Sequence, residues 1–255
     1  MKFGDSQLFQ SGYRRALRFY MTAPAPCPYI DGMRERKAFT NLSVPDADAV
    51  HSLLSESGFR RSQGIAYRPA CPRCNACKSV RVPVRDFSFT KRWRRVLSRN
   101  DSIIATAVPA VATREQYRLL RRYLMARHED GGMADMSFRD YANMVSESPV
   151  KSMIVEYREG PEDDAPLIGA AISDVLRDGL SMVYSFFDPK LSARSLGSFM
   201  ILEHIQRATA HGLPHVYLGY WVEGSPKMDY KRQFWPLEVL NGETWQLVSA
   251  ERAQR

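Results

Sequence analysis

Four cysteines are the residues of this sequence with the clearest potential for chemistry. Cys71, Cys74 and Cys77 follow one another at intervals of three, and Cys27 lies upstream. Two residues between thiolates let a tight loop aim both sulfurs at one ion, so the spacing predicts a structural zinc site or an iron–sulfur cluster. The alternative interpretation is a set of small buried thiols that pack without metal, or a site that has lost its metal. Four thiolates leave no open coordination position, so such a metal would not be catalytic.

A basic and aromatic segment follows the cysteines at residues 85–99. Its cations surround Phe87, Phe89 and Trp93. Cations neutralise phosphates and aromatic faces stack on unpaired bases, which favours RNA ends over duplex DNA as a partner. The alternative is a solvated helix face whose apolar residues belong to the core. The arginines of this segment that we predict to contact RNA are Arg92, Arg94 and Arg95.

A short loop at residues 194–198 precedes a predicted helix and follows a predicted strand. In acetyltransferases of the GCN5-related fold, an Arg/Gln-x-x-Gly-x-Gly/Ala loop offers backbone N–H groups to the pyrophosphate of coenzyme A. Here the last position of that pattern is Phe199. Its bulk would obstruct close approach of the backbone to a phosphate. The loop therefore indicates this fold more strongly than it indicates coenzyme A.

Residues 216–231 combine an aromatic strand with a loop that carries two lysines. The strand ends in Gly219, Tyr220 and Trp221. Polar groups at the end of a strand are where α/β proteins commonly bind ligands, so aromatic and lysine side chains there could hold a nucleotide and a carboxylate. The alternative is a well-packed loop whose lysines lie in water. No histidine of the sequence forms a readable triad with Ser or Cys.

The periodicity of apolar residues predicts the elements that must position these groups. The predicted helices cover residues 45–58, 113–129, 138–147 and 196–210, and the predicted strands cover 65–67, 79–84, 153–157, 167–176, 180–187 and 215–219. Asp178 and Gly179 carry a hairpin signal between two of these strands. The order hairpin, helix, strand is typical of an α+β domain with a mixed sheet and a right-handed crossover.

Charge and length divide the chain. Residues 1–100 hold 19 Lys and Arg against 7 Asp and Glu, a net charge of +12, whereas residues 101–255 have 17 against 21, a net charge of −4. A basic first third predicts a polyanionic partner, with nucleic acid the default, although a merely soluble basic surface is the alternative. The small residues around Pro109 predict an inter-domain connection at 100–113. We therefore predict a basic cysteine-containing domain at 1–105 and a second domain at 106–255.

Composition excludes several classes of protein. A hydrophobic content of 44% and a charged content of 25% exclude disordered, collagen-like and disulfide-scaffold proteins. No apolar run approaches the roughly 18 residues of a membrane helix. The first ten residues lack the apolar block of a secretory signal. We therefore expect a cytoplasmic protein with reduced thiols and no membrane partner.

Longer motifs resemble the arginyl-tRNA–protein transferase family, and with the short length they resemble its bacterial branch, the aspartate/glutamate leucyltransferases. The similarity runs from about residue 5 to residue 240. The motifs are CPYIDGMRERK at 27–37, GFRRSQGIAYRPAC at 58–71, RRV and RN at 94–100, DGGMAD at 130–135, SMVYSFFD at 181–188, YLGYW at 217–221 and KMDYK at 227–231.

The resemblance implies that leucine is moved from leucyl-tRNA to the α-amino group of proteins that begin with Asp or Glu, which marks them for degradation by the N-end rule pathway. It implies a C-terminal GCN5-like fold that uses aminoacyl-tRNA instead of coenzyme A. In eukaryotic relatives, paired cysteines bind a metal or an iron–sulfur cluster. This sequence departs from that pattern, because Ile30 stands three residues after Cys27 and Cys71 supplies an additional thiol.

The chemistry of this transfer suggests roles for individual residues. An α-amine of pKa about 8 deprotonates readily and an aminoacyl ester is already activated, so positioning and oxyanion stabilisation are the main tasks and no covalent nucleophile or cofactor is expected. The residues expected to orient the ester or donate to oxygen are Tyr184, Ser185, Tyr217 and Tyr220. Those expected at the substrate are Arg60, Arg61, Tyr67, Lys227, Tyr230 and Lys231. The two arginines and the two lysines are candidates for the acidic side chain of the protein substrate or for tRNA phosphates. Those expected at the tRNA are Arg92, Arg94, Arg95, Arg194 and Ser195.

Two other functions remain open from the residues. One is an N-acetyltransferase that uses an acyl-coenzyme A, which predicts binding of acetyl-coenzyme A. The other is an RNA-binding protein without transferase activity, in which the cysteines and the basic segment alone would bind the RNA. That second alternative leaves residues 217–231 without a role.

Overall fold

The computed structural model describes residues 17–127, 135–162, 164–222, 225 and 227–248. Its strands are β1 (Tyr20–Met21), β2 (Ala25–Pro26), β3 (Arg34–Glu35), β4 (Lys37–Asn41), β5 (Arg60–Ser62), β6 (Ile65–Pro69), β7 (Cys77–Pro83), β8 (Ile103–Pro109), β9 (Ser152–Glu159), β10 (Leu167–Leu176), β11 (Gly179–Phe187), β12 (His215–Val222), β13 (Glu238–Asn241) and β14 (Thr244–Leu247). Its α-helices are α1 (Ala47–Glu56), α2 (Lys91–Arg99), α3 (Arg114–Arg127), α4 (Phe138–Ser146) and α5 (Leu196–Ala210). Short 3₁₀ helices lie at Val84–Asp86, Pro189–Arg194 and Asp229–Gln233.

An eight-stranded mixed sheet forms the centre of the fold. Its strand order is β14-β13-β7-β12-β11-β10-β9-β8. The β11–β12 pair is parallel, and α5 makes the crossover between these two strands, whereas the other pairs are antiparallel. The predicted α+β class with a mixed sheet is therefore confirmed, and α5 covers the predicted residues 196–210.

Both faces of this sheet are covered, because the buried side chains of its central strands alternate between two cores. One core lies under α2 and α5 and includes Val155, Ala171 and Leu202. The other lies under α3 and α4 and includes Ile154 and Leu120. The strands β9 to β11 are therefore packed on both sides, and β11 stays paired with β10 as far as Phe187.

The first part of the chain forms a smaller antiparallel sheet with the order β1-β4-β6-β5. Its own core packs under α1 around Leu42, Leu54 and Phe59. The next strand, β7, belongs to the large sheet, where it lies between β12 and β13. The predicted boundary at residue 105 therefore separates β7 in sequence from most strands of the sheet that it joins.

The predicted connection at residues 100–113 is wrong for most of its length. Residues Ile103–Pro109 form the edge strand β8, which pairs with β9 from Ile103 to Pro109. An edge strand needs only one buried face and tolerates proline at its end, so small residues and Pro109 are compatible with it. No α-helix in the described part of the chain is long and apolar enough to cross a membrane.

Candidate active site

The strands β11 and β12 diverge, and the opening between them is the candidate site. The parallel ladder joins residues 179–181 to residues 215–217, and no further pair follows among the described residues of the two strands. The register of β11 against β10 shifts at Val183, which pairs with no residue of β10. Residues 182–187 of β11 and 218–222 of β12 therefore border a gap at the carboxyl ends of two parallel strands, a usual position for a ligand site.

Arg60, from β5 of the smaller sheet, enters this gap. Its Nη2 atom donates a hydrogen bond to the backbone oxygen of Met182 at 2.5 Å. The residue is only 9% exposed, and its Nη1 atom is buried with no hydrogen-bond partner among the described residues. The guanidinium lies against the backbone of Gly219, whose φ of +84° and missing side chain leave room for it. One strand of the gap thus receives a buried cation with an unused donor.

Lys231, from the 3₁₀ helix Asp229–Gln233, contacts β12 on the other side of the gap. Its Nζ atom donates to the backbone oxygen of Tyr220 at 2.6 Å, and the residue is 6% exposed. Burial lowers the pKa of Lys231 to about 7, and the nearby charge of Arg60 contributes to that shift. Both causes disfavour the charged form, and no carboxylate of the described residues offsets them.

Arg60 and Lys231 together form a buried pair of like charges. Among the described residues, no carboxylate lies within ion-pair distance of either side chain. Burying two cations without a counter-charge is costly, so such pairs persist where an anion is to be bound. The arrangement can therefore receive an anionic group between the two diverging strands.

Tyrosines surround the gap. The single hydroxyl proton of Tyr220 is shared between the backbone oxygens of Gly58 and Tyr67, at 3.0 and 2.9 Å, and the Tyr67 and Tyr220 rings lie 6.0 Å apart between centroids. These two predicted residues therefore join the smaller sheet to β12. Tyr230 is exposed and lies within electrostatic reach of Arg60.

Tyr184 and Ser185 lie on the diverging part of β11, and both are half-buried. Burial raises the pKa of Tyr184 well above its usual value, with Tyr123 of α3 contributing. The Tyr184 hydroxyl therefore keeps its proton across the physiological range and can donate a hydrogen bond. Tyr123 is not among the predicted site residues, because its position on α3 is that of a residue packed against the core.

Two predicted residues have other partners. The hydroxyl of Tyr217 donates to Asp178 at 2.7 Å and lies 3.0 Å from Nη1 of Arg81, in a cluster before the strands diverge. Its hydroxyl therefore already has partners in this structure, and its role as an ester-orienting residue stays a prediction. Arg61 is fully buried in an ion pair with Asp174, so its charge is neutralised. Lys227 is exposed.

Asp174 is a functional candidate that the sequence analysis missed. It is the only charged residue of β10 and is completely buried. Burial would raise its pKa, but hydrogen bonds from His51 and Arg61 outweigh burial and hold the pKa at about 2. A lone aspartate in an otherwise apolar strand is the signal that could have identified it.

The arginines of α2 face solvent, whereas its aromatic neighbours do not. Arg92, Arg94 and Arg95 are exposed, and Arg92 and Arg94 donate to Gln233 and to the Phe89 backbone. Trp93 is buried and stacks on Phe234 with ring centroids 4.7 Å apart. The expectation that Trp93 stacks on bases is therefore wrong, because every third or fourth position of this helix faces the core.

The loop before α5 makes hydrogen bonds and an ion pair with other parts of the protein. Arg194 pairs with Glu159 and donates to the Asn100 side chain. Ser195 is exposed, has a φ of +56° and accepts hydrogen bonds at its backbone oxygen from Ser198 and Phe199. Phe199 is buried at the start of the helix. The predicted tRNA contact of Arg194 therefore competes with an existing ion pair.

The four cysteines lie near one another but are not arranged as metal ligands. All four are half-buried, and Cys77 is within electrostatic reach of the other three thiols. Burial and these thiols raise the pKa of Cys77 to about 11. In the described ranges no group of three or more His, Cys, Asp or Glu residues could hold a metal ion. The predicted metal site thus stays a prediction, and no step of a reaction is derived from it.

Known proteins are related to this chain in sequence over nearly its whole length. The profile described as arginine-tRNA-protein transferase, N terminus, matches residues 25–95, and the profile for its C terminus matches residues 115–241. An aspartate/glutamate leucyltransferase of Hyphomonas neptunium is 62% identical over 96% of this chain and 97% of its own length. One of Phenylobacterium zucineum is 54% identical over 92% of this chain and 93% of its own.

Among solved structures, the C-terminal domain of a putative lysylphosphatidylglycerol synthetase from Agrobacterium fabrum has a TM-score of 0.42 at 15% identity, over 58% of this chain and 47% of that one. This partial likeness carries no functional conclusion. The sequence relationships are sufficient by themselves. The chain belongs to the arginine-tRNA-protein transferase family.

Proposed function

We propose that this enzyme transfers leucine from leucyl-tRNA to the α-amino group of proteins that begin with Asp or Glu, and so marks them for degradation by the N-end rule pathway. The names of the relatives at 62% and 54% identity support leucine as the transferred residue. The observation that carries the proposal is the buried cation pair of Arg60 and Lys231, which lacks a described carboxylate partner. An acidic N-terminal side chain supplies the missing negative charge.

The reaction needs little acid–base help. The neutral α-amine attacks the ester carbonyl carbon of leucyl-tRNA, and a C–N bond forms as the carbonyl oxygen becomes an oxyanion. Collapse of this intermediate breaks the bond to the ribose oxygen, which leaves with a proton that derives from the amine. Correct placement of amine and ester therefore accounts for most of the rate enhancement.

Individual residues of the gap fit these tasks. Arg60 and Lys231 hold the substrate carboxylate, which brings the adjacent α-amine to the ends of β11 and β12. Tyr184 and Ser185 orient the ester, and the protonated Tyr184 hydroxyl is a donor for the oxyanion. Tyr67, Tyr220 and Tyr230 form the walls around the acidic residue. No cofactor takes part in this chemistry.

The exposed arginines of α2 are proposed to bind the tRNA. Arg92, Arg94 and Arg95 present three positive charges on one short helix. Contacts with phosphates are independent of sequence, so they position the acceptor end and leave the choice of amino acid to the gap. Because aminoacyl-tRNA is the donor, we place the activity in the cytoplasm.

The test supplies radiolabelled leucyl-tRNA and arginyl-tRNA separately, with peptides that begin with Asp, Glu or Ala. We expect transfer of leucine to the Asp and Glu peptides alone. Transfer to no peptide would contradict the proposal, and transfer from arginyl-tRNA only would place the donor specificity with arginine. A thermal shift with acetyl-coenzyme A, or RNA binding without transfer, would favour the two other functions instead.

A further inference from the structure

Two adjacent arginines of β5 have opposite electrostatic environments. The guanidinium of Arg61 is completely buried and neutralised by Asp174 of β10. The guanidinium of Arg60 enters the gap between β11 and β12, where its only hydrogen bond in the described chain is to the Met182 backbone. One of the two side chains is thus an anchor, and its neighbour still has an unused charge.

The anchor is centred on the Asp174 carboxylate. Its Oδ2 accepts from Nε of Arg61 at 2.8 Å and lies 2.9 Å from Nε2 of His51. Its Oδ1 accepts from Nη2 of Arg61 at 2.7 Å and from Oγ of Ser152 at 2.8 Å. A bidentate arginine–carboxylate pair with two further donors defines both position and orientation, because each added bond removes a rotational freedom.

This anchor matters for Arg60 because β5 has little other support. The strand covers three residues, Arg60–Ser62, and lies at the edge of the smaller sheet, where β6 is its one partner among the described strands. Short edge strands are the part of a sheet that opens most readily. The ion pair at Arg61 fixes the backbone one residue from Arg60, and it fixes that backbone to β10 of the large sheet, next to β11.

We infer that Arg60 distinguishes a carboxylate from an uncharged side chain at the substrate N-terminus, and that Asp174 is a positioning residue that holds Arg60 for this task through Arg61. The substrate carboxylate accepts a hydrogen bond from Nη1 of Arg60, since Nη2 already donates to the backbone oxygen of Met182. The inference rests on the proposed function and extends it by separating recognition from anchoring within β5.

The test compares two peptides that differ only in an N-terminal Asp or Asn, with leucyl-tRNA as donor. The unmodified protein should prefer Asp in kcat/KM. Arg60→Gln should reduce the Asp-to-Asn ratio by at least about tenfold, because a buried charge loses its partner. Asp174→Asn should reduce the same ratio mainly through KM for the Asp peptide, with kcat/KM for the Asn peptide largely preserved.

A purely structural role would give a different result. Loss of folded protein lowers the apparent kcat/KM for both peptides by the same factor and leaves the Asp-to-Asn ratio unchanged. Asp178→Asn is the matched control, since Asp178 also accepts from arginine, histidine and tyrosine side chains but belongs to the cluster before the divergence. It should leave the ratio unchanged. If Asp174→Asn does not fold, Arg61→Lys keeps a charge without the bidentate geometry and should also lower the ratio.

The outcomes separate the two proposals. Absence of leucine transfer by the unmodified protein overturns the proposed function. Transfer with an unchanged ratio in Arg60→Gln overturns the inference about recognition, and an equal loss for both peptides assigns Arg60 to the tRNA or the ester instead. A ratio that moves in Arg60→Gln but in neither Asp174→Asn nor Arg61→Lys overturns the positioning role.

Discussion

Gly219 and Arg60 share a volume that only a glycine leaves open. A Cβ atom at residue 219 would lie 2.6 Å from Nη1 and 2.7 Å from Cζ of Arg60. The φ of Gly219 is +84°, a conformation that residues with a side chain rarely adopt. The strand β12 therefore bends away from β11 at the residue where the buried guanidinium enters the gap. Divergence of the strands and placement of the cation are a single structural feature.

Gly219→Ala should displace the Arg60 guanidinium and lower kcat/KM for an Asp peptide by roughly tenfold or more, since misplacement of about 1 Å is costly in a reactive geometry. Gly242→Ala is the matched control, because Gly242 has a φ of +65° and no atom within 4 Å of the added carbon. Both variants should lose about 1 kcal/mol from the unfavourable backbone conformation. Thermal unfolding and peptide kinetics measure the two effects. Equal activity in both variants would contradict the coupling of Gly219 to Arg60.

Binding of acidic peptides should depend on the protonation of Lys231. Its pKa is lowered to about 7, so above that pH the side chain is mostly neutral. Binding of a carboxylate then requires that Lys231 take up a proton. The affinity of an Asp peptide in the absence of tRNA should therefore fall as pH rises above about 7. Calorimetric titration from pH 6 to 9 should show this fall in the unmodified protein and not in Lys231→Met.

Lys151→Met is the control for that titration, because Lys151 is exposed and lies outside the gap. An Asn peptide corrects for titration of the peptide amine itself.

The lowered pKa of Lys231 also affects the stability of the protein. The unfolded chain binds a proton at Lys231 up to about pH 10.4, so the free energy of unfolding should rise between about pH 7 and 10 and Lys231→Met should lack that rise. If the unmodified protein and Lys231→Met showed the same rise of the free energy of unfolding with pH, the lowered pKa of Lys231 would be contradicted.

Charge reversal on α2 should weaken tRNA binding without altering peptide choice. Arg94→Glu combined with Arg95→Glu should raise KM for leucyl-tRNA by about tenfold and lower the slope of log affinity against log salt by roughly one to two units. Arg177→Glu is the control, since Arg177 is exposed at the β10–β11 hairpin. A double variant that behaves like the control would show that the acceptor end binds elsewhere.

The four cysteines should carry a metal if their proximity reflects a structural site. The prediction made from the cysteine spacing requires that protein purified without oxygen contain zinc or iron and that a chelator lower its thermal midpoint, although the arrangement in the structure favours packed thiols. Cys77→Ser should lose the metal and show the same lower midpoint. Metal-free protein whose midpoint is unaffected by chelation would favour the alternative of packed thiols. The measurement is metal analysis together with calorimetry.

Local patterns determined much of this protein. The bounds of α5 follow from apolar periodicity and from a stop at His211 and Gly212, and the β10–β11 hairpin follows from Asp178 and Gly179, because both depend on residues a few positions apart. The family could be recognised from motifs, and the transferase chemistry followed from the family. Residue type and segment also indicate Arg60 and Lys231 as candidate substrate contacts.

Contacts between distant residues decided the rest. Arg60 and Arg61 are identical neighbours in sequence, and only the position of Asp174, 113 residues beyond Arg61, makes one an anchor and leaves the other charged. Trp93 reads equally well as a stacking residue and as a core residue until Phe234 is seen against it. A side chain's role depends on the charges and surfaces that surround it after folding, and these come from parts of the chain that leave no local trace.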